Sequence, residues 1–189
     1  MDIKEIESNV QTFWTENNIY YKVKEQGKGK KKFYFCDGPP YATGQIHPGT
    51  AWNKTMKDAY IRFYRMKGFD VRDQPGFDTH GLPIEVKVEK ELGLKSKSEI
   101  ETKIGVKKFV TECKEFATKY IGVMSNQFRS VGVWQDFDNP YLTFKNSFIE
   151  KSWSTIKKAH EKGLLKEELY VVPFCPRCET TSANYELEY

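Results

Sequence analysis

Phe33-Tyr34-Phe35-Cys36-Asp37-Gly38-Pro39-Pro40-Tyr41-Ala42-Thr43-Gly44-Gln45-Ile46-His47-Pro48-Gly49-Thr50 decides the fold of this 189-residue chain. Its first four residues form an apolar run suited to a buried strand, and Asp37-Gly38-Pro39-Pro40 breaks that run. A loop bearing Gly44 and Gly49 then opens a segment of helical period. There Trp52, Met56, Ala59, Tyr60, Phe63 and Met66 share one face, and Gly68 supplies a left-handed stop. Lys54, Lys57, Arg62, Arg65 and Lys67 take the other face, which reads as solvated surface. Phe69 to Arg72 is a second strand. Strand, helix and strand this close together predict a right-handed parallel crossover, with ligands at the carboxyl ends of the strands. The loop through His47 falls there, and so does Gly76-Phe77-Asp78-Thr79-His80-Gly81-Leu82-Pro83.

Working outward, Ile3, Ile6, Val10, Phe13 and Trp14 predict an amphipathic helix over residues 3 to about 17, ending at Asn17-Asn18. Gln26 to Lys32 reads as a Gly/Lys linker. Pro83 opens a further helix that Gly93 ends, and Ser98-Glu99-Ile100-Glu101 has the form of a capping box. Val106, Phe109, Val110, Cys113, Phe116, Ala117, Tyr120, Ile121, Met124 and Phe128 hold one apolar face of a long helix. Asn139-Pro140 marks a turn, Asn146 to His160 another helix, and Leu169 to Phe174 an apolar run feeding Cys175-Pro176-Arg177-Cys178.

An apolar content of 39% and an aromatic content of 15% place the chain among globular proteins and against disorder. The net charge of +4 permits an anionic partner without demanding one, since no basic stripe alternates with aromatics. No apolar run approaches the roughly 20 residues of a membrane span. A cytoplasmic protein is the expectation. In a reducing compartment Cys36 and Cys113 read as buried small hydrophobes, and Cys175 with Cys178 as metal or redox chemistry.

Gly44, His47, Gly49 and Thr50 form a loop at a helix start, where free amides and the positive dipole end favour a polyphosphate. Asp78 either holds a substrate ammonium, with His80 orienting it, or caps the helix beginning near Leu82. Cys175 and Cys178 have zinc-knuckle spacing, yet a structural zinc takes four ligands. The redox alternative lacks an evident activating environment.

These residues carry a resemblance. Asp37 to Thr50 resembles the first signature of class I aminoacyl-tRNA synthetases, the His-x-Gly-His element, with Thr50 in place of the second histidine. Gly76 to Glu85 is similar to the Gly-Trp-Asp-x-His-Gly-Leu-Pro-x-Glu motif of the isoleucyl-tRNA synthetases, with Phe77 in place of tryptophan. The Asp138-Asn139-Pro140-Tyr141 turn and the cysteine knuckle also fit that family. The resemblance implies that His47 and Thr50 are catalytic, and that with Gly44 and Gly49 they bind ATP. It implies that Gly38, Pro39, Asp78 and His80 bind isoleucine, and that Cys175 and Cys178 are half of a Zn2+ site. It further implies Mg2+, isoleucine tRNA and the remainder of a synthetase polypeptide as partners, because the family's Lys-Met-Ser-Lys-Ser loop is not in this sequence.

The fold class expected is α/β: the first half of a Rossmann-like (HUP-type) parallel-sheet catalytic domain with flanking helices. Residues 1–32 would be the N-terminal helix and linker, 33–168 the half-domain, and 169–189 the start of a connective insertion. The function expected is ATP-dependent isoleucine–tRNA ligation, by an N-terminal fragment inactive alone. The competing readings are one chain of a split synthetase, a small nucleotidyltransferase, or a non-catalytic nucleotide- or RNA-binding module.

Overall fold

The structure, a computed structural model, describes residues 2–183; Met1 and residues 184–189, the last part of the expected 169–189 segment, lie outside the described residues. In chain order the elements are α1 (Ile3–Glu16), α2 (Ile19–Gly27), β1 (Lys32–Tyr34), α3 (Pro48–Met66), β2 (Asp70–Arg72), β3 (Gly76–Phe77), α4 (Leu82–Glu91), a π-helical turn (Ile100–Ile104), α5 (Val106–Ser130), β4 (Tyr141–Leu142), α6 (Asn146–Glu161), β5 (Phe174–Cys175) and β6 (Thr180–Thr181). The chain divides into two compact units. One comprises the residues to Asp78 with Lys119–Tyr141, the other Thr79–Thr118 with the residues from Leu142 on.

In the first unit β1 and β2 pair in parallel, Phe33 opposite Val71, with α3 as the connection between them. The expected strand–helix–strand order is present, on strands of only three residues each. Phe33 stacks on Tyr64 of α3 at a centroid distance of 3.6 Å, and Ile61 and Val71 are buried beside them.

The orientation of α3 is opposite to the one its periodicity predicts. Lys54 is 1% exposed, whereas Trp52 is 72%, Tyr60 60% and Met66 80% exposed. The cause is a set of acceptors supplied from elsewhere in the chain. Lys54 Nζ donates to Asp37 and to Gln135 Oε1 (3.2 Å), and Lys57 Nζ to Asp37 Oδ1 (2.7 Å). Arg65 reaches Asp73 and the Trp134 carbonyl (3.1 Å). Arg62 pairs with Asp58, donates to the Gly132 carbonyl, and lies 4.1 Å over the Trp134 ring. Asp58 in turn accepts from Trp134 N at 2.8 Å. Of the five basic residues expected on the surface, Lys67 alone is exposed.

A helix that sequence reading missed, α2, follows Asn18, whose left-handed backbone (φ 51°) separates it from α1. Tyr20 donates to Asp73 Oδ2 (2.6 Å) and Lys24 to Asp136 Oδ2 (2.8 Å), so α2 is held by partners 53 and 112 residues away that no local pattern reveals. It occupies most of the stretch before the linker, which shrinks to Lys28–Lys31. Gly27 ends it with no room for a side chain, since a Cβ would lie 2.8 Å from the Phe69 carbonyl oxygen. Cys36, expected buried, is exposed.

In the second unit Ile84 and Val88 of α4 and Phe109 and Phe116 of α5 supply the buried side chains. The expected capping box at Ser98 is replaced by the π-helical turn, because Glu99 turns back to accept from Lys95 N (2.9 Å) and Gly105 N closes on the Ile100 carbonyl (2.7 Å). Cys113 is half-buried, and burial pushes its thiol up to about 11. α6 forms as expected, but Phe148, Ile149, Trp153 and Ile156 stay exposed, as do Leu169 to Val172. Glu89 is fully buried against Lys97 Nζ (2.8 Å) and Arg177 Nη1 (2.6 Å). Burial pushes its carboxyl up, but the hydrogen bonds and charges of Lys97 and Arg177 outweigh burial and hold it below the usual range.

Two outcomes follow. Asp37→Asn, which leaves Lys54 without its buried counter-charge, lowers unfolding stability in urea by about 3 kcal/mol or more, whereas Met66→Lys on the exposed face of α3 changes it by about 0.5 kcal/mol or less. Because the folded pKa of Glu89 is depressed, its contribution is present above the ordinary carboxylate pKa of about 4.3 and is lost as pH falls through the lower folded value. Acid titration of stability is therefore steeper in the native chain than in Glu89→Gln.

Candidate active site

The strand β1 runs out at Tyr34, and Asp37 follows with its side chain fully buried. Its carboxylate accepts from Lys54, from Lys57 and from Gly76 N (3.1 Å), while its carbonyl accepts from the Tyr141 hydroxyl. Lys57 also donates to the Gly38 carbonyl at 3.0 Å. One carboxylate thus fixes the start of the Gly38-Pro39-Pro40 segment to α3 and to the loop that carries Asp78. Burial pulls the Lys54 ammonium below the ordinary lysine range, although Asp37 opposes that shift.

The two loops then meet through their backbones. Asp78 N donates to the Pro40 carbonyl (2.8 Å), and Ala42 N donates to the Asp78 carbonyl (2.9 Å). Gly76 is required beside them, since any Cβ there would run into the Tyr141 ring. Asp78 is half-buried, and the N-cap position of α4 is held by Gly81, at φ 83°.

His47 is the N-cap of α3. Its Nδ1 accepts from Thr50 N at 3.4 Å, so the ring proton sits on Nε2 and remains available as a donor. The ring packs over Gly49, where a Cβ would come within 3.0 Å of it. Gly38, Pro39, Pro40, His47, Gly49, Thr50, Asn53 and Lys54 line a cavity of about 240 Å³. Gly44 is not among its lining residues. A slightly larger hollow of about 260 Å³ lies against α1 and α2, away from both motif loops. Sequence reading missed Asp37, Lys54 and Lys57. The one available signal was the position of Asp37 directly after an apolar run, where a carboxylate needs a cationic partner to be buried.

His80 belongs to the second unit. Its Nδ1 lies 2.7 Å from Thr143 Oγ1, which also accepts from Thr79 N at 2.9 Å. In the same unit β5 and β6 pair antiparallel around the Cys175–Cys178 turn. The backbone amides of Cys178 and Arg177, then the Cys178 thiol, hold the Cys175 thiol below its usual range. Glu89 anchors this turn through Arg177. Two thiols are half of a tetrahedral zinc set, and among the described residues no cluster of three or more metal-ligating side chains occurs.

The first unit thus brings the start of α3, capped by His47, together with the loop that carries Asp78. No helix among the described residues is long and apolar enough to cross a membrane.

The chain is similar to known proteins over nearly its whole length. The family model for tRNA synthetases class I (I, L, M and V) matches residues 9–189. The isoleucine–tRNA ligase of Pyrococcus abyssi is 56% identical over 186 residues, 98% of this chain and 17% of that protein. That of Methanocaldococcus jannaschii is 54% identical over 187 residues, covering 99% of this chain and 18% of its own length. A LeuRS of Agrobacterium radiobacter, solved as a ternary complex with tRNA and LeuAMS, superposes with a TM-score of 0.67 at 21% identity, over 94% of this chain and 20% of that one. Its likeness is one of α/β fold. With its motif loops joined as described and its sequence matched from residue 9 onward, the chain belongs to the class I tRNA synthetases of the isoleucine, leucine, methionine and valine group.

Proposed function

We propose that this chain is the amino-terminal part of an isoleucine–tRNA ligase and forms one wall of its amino-acid-activating site. The observation that carries the reading is the backbone pairing of Asp78 with Pro40 and Ala42, which sets the Asp78 loop alongside the segment that leads to His47. The relatives named above as isoleucine–tRNA ligases support the choice of amino acid. Residues 33–168 are then the first half of a Rossmann-like catalytic domain, after the N-terminal segment 1–32, and 169–189 begin a connective insertion. The working compartment is the cytoplasm.

In this site the Asp78 carboxylate binds the isoleucine ammonium through a charge-assisted hydrogen bond. Gly38 and Pro39 line its pocket, and His80 orients the loop through Thr143. The amides at the start of α3, with Gly44 and Gly49, receive the ATP phosphates. The isoleucine carboxylate oxygen attacks the α-phosphorus, pyrophosphate leaves, and the aminoacyl group passes from the adenylate to isoleucine tRNA. No side chain acts as nucleophile; positioning and charge stabilisation drive the step. His47 Nε2–H and the Thr50 hydroxyl donate to oxygens on which charge grows. Thr50 supplies a hydrogen bond without a positive charge, and Lys54, committed to Asp37, does not replace it. Mg2+ bound to ATP supplies charge neutralisation. Cys175 and Cys178 would supply two thiolates, half of the tetrahedral set that a structural Zn2+ takes.

The test is a chimera in which residues 1–189 replace the matched stretch of the Pyrococcus abyssi ligase. It catalyses isoleucine-dependent ATP–pyrophosphate exchange, whereas residues 1–189 alone do not. In the chimera, Asp78→Asn raises the KM for isoleucine by about 30-fold or more, as expected for the loss of a charged hydrogen bond of about 2 kcal/mol. His47→Ala lowers kcat by about 100-fold. A chimera that activates leucine or valine in preference to isoleucine overturns the assignment, and robust exchange by the chain alone overturns the fragment reading.

A further inference from the structure

The hollow of about 260 Å³ against α1 and α2 lies wholly within the first unit and takes no part in the site described above. Its walls are aromatic: α1 brings Trp14, α2 brings Tyr20 and Tyr21, and the loop after α5 brings Trp134. Trp14 and Trp134 meet edge to face at a centroid distance of 4.9 Å, and Tyr20 and Tyr21 do the same at 5.0 Å. The hydroxyls of both tyrosines are already used, Tyr20 donating to Asp73 Oδ2 (2.6 Å) and Tyr21 to Asp138 Oδ2 (2.8 Å). What they offer an occupant is therefore ring surface, and Tyr21 is 50% exposed. Charge is balanced in the wall as well. Arg129 and Asp138 are the charged residues that line it, and they pair with each other at 2.8 Å. An ionic occupant would find no free counter-charge there.

One polar group of the wall is left over. Gln135 also lines the hollow, is 4% exposed, and accepts from Lys54 Nζ through Oε1 at 3.2 Å. A lysine ammonium only donates, so this contact fixes which way round the amide sits. The other end, Nε2, is buried and has no hydrogen-bond partner among the described residues. A buried donor of this kind is costly until an acceptor meets it. The volume is at the small end for organic-ligand pockets and suits a single small ring system.

We infer that this hollow is a binding site for an uncharged planar ring carrying a carbonyl acceptor, the chemistry of a nucleobase, held against the aromatic walls with its carbonyl oxygen accepting from Gln135 Nε2. Aromatic side chains take bases by stacking, and the glutamine amide selects those with an acceptor on the edge presented to it. The site goes beyond the proposed function and does not depend on it. Such a base has two sources, a free nucleoside or an unstacked base of single-stranded RNA, and the test separates them.

The experiment titrates residues 1–189 with uridine and follows the Gln135 side-chain amide by heteronuclear NMR. The expected result is a saturable shift of that amide with a Kd below about 1 mM. Gln135→Glu keeps an acceptor for Lys54 but removes the donor, and it weakens uridine binding by about tenfold or more. Tyr21→Ala weakens it by about fivefold or more, whereas Tyr21→Phe, which keeps the ring, does not. Uridine monophosphate binds no more tightly than uridine. Oligouridylate is the second arm. Binding about tenfold tighter than that of uridine, and equally lost in Gln135→Glu, assigns the base to RNA; equal or weaker binding assigns it to the free nucleoside. Four results overturn the inference: no saturable shift up to about 10 mM uridine, the donor then being met by solvent; saturation that leaves the Gln135 amide unmoved; binding of either probe that survives Gln135→Glu; or a preference of about tenfold or more for the monophosphate. The amide shift is read in the native chain, so the test does not hang on the folding of any variant.

Discussion

The buried pair between Asp37 and Lys54 is the constraint on which the first unit depends. A carboxylate and an ammonium removed from water are costly unless both are paired and hydrogen-bonded. Here the remaining capacity of Asp37 is filled by Lys57 and Gly76 N, and that of Lys54 by Gln135. Each partner comes from a different segment: the end of β1, the helix α3, the approach to Asp78, and the loop after α5. Satisfying two charges therefore fixes four segments in register. Hydrophobic contacts such as Phe33 on Tyr64 supply affinity between β1 and α3 but would tolerate sliding, whereas the ion pair does not.

That constraint also explains what the sequence could and could not reveal. The βαβ order, the boundaries of α1, α3, α4 and α6, and the two motif loops were legible, because proline, glycine and helical period are local signals. The facing of α3 was not. Periodicity locates an apolar stripe but does not say which body of protein will cover it, and the acceptors that draw Lys54, Arg62 and Arg65 inward lie up to 81 residues away. The same limit hid α2, whose Tyr20 and Lys24 are held by Asp73 and Asp136. Cys36 was misread for a related reason: it continues an apolar run beyond the last residue of β1.

At the candidate site the residues named from sequence divide by unit. Gly38, Pro39, His47, Gly49, Thr50 and Asp78 sit in the first, and their loops are joined by Asp37 and by the Asp78 backbone. Gly44 lies on the same loop, outside the cavity lining. His80 and the cysteines belong to the second, each with its own support in Thr143 and in the Glu89–Arg177 pair. His47 has a part that motif reading did not assign, since its Nδ1 caps α3 by accepting from Thr50 N. Lys54, which lines the same cavity, is already paired with Asp37.

The most direct measurement of this account is native-state hydrogen exchange at three amides, Ala42, Gly76 and Asp78, in the native chain and in Asp37→Asn. Organisation of both loops by Asp37 predicts that all three are protected close to the level of global unfolding. It further predicts that Asp37→Asn accelerates them far more than it accelerates amides in the middle of α1. Exchange at open-loop rates in the native chain, or acceleration equal to that of α1, would contradict it.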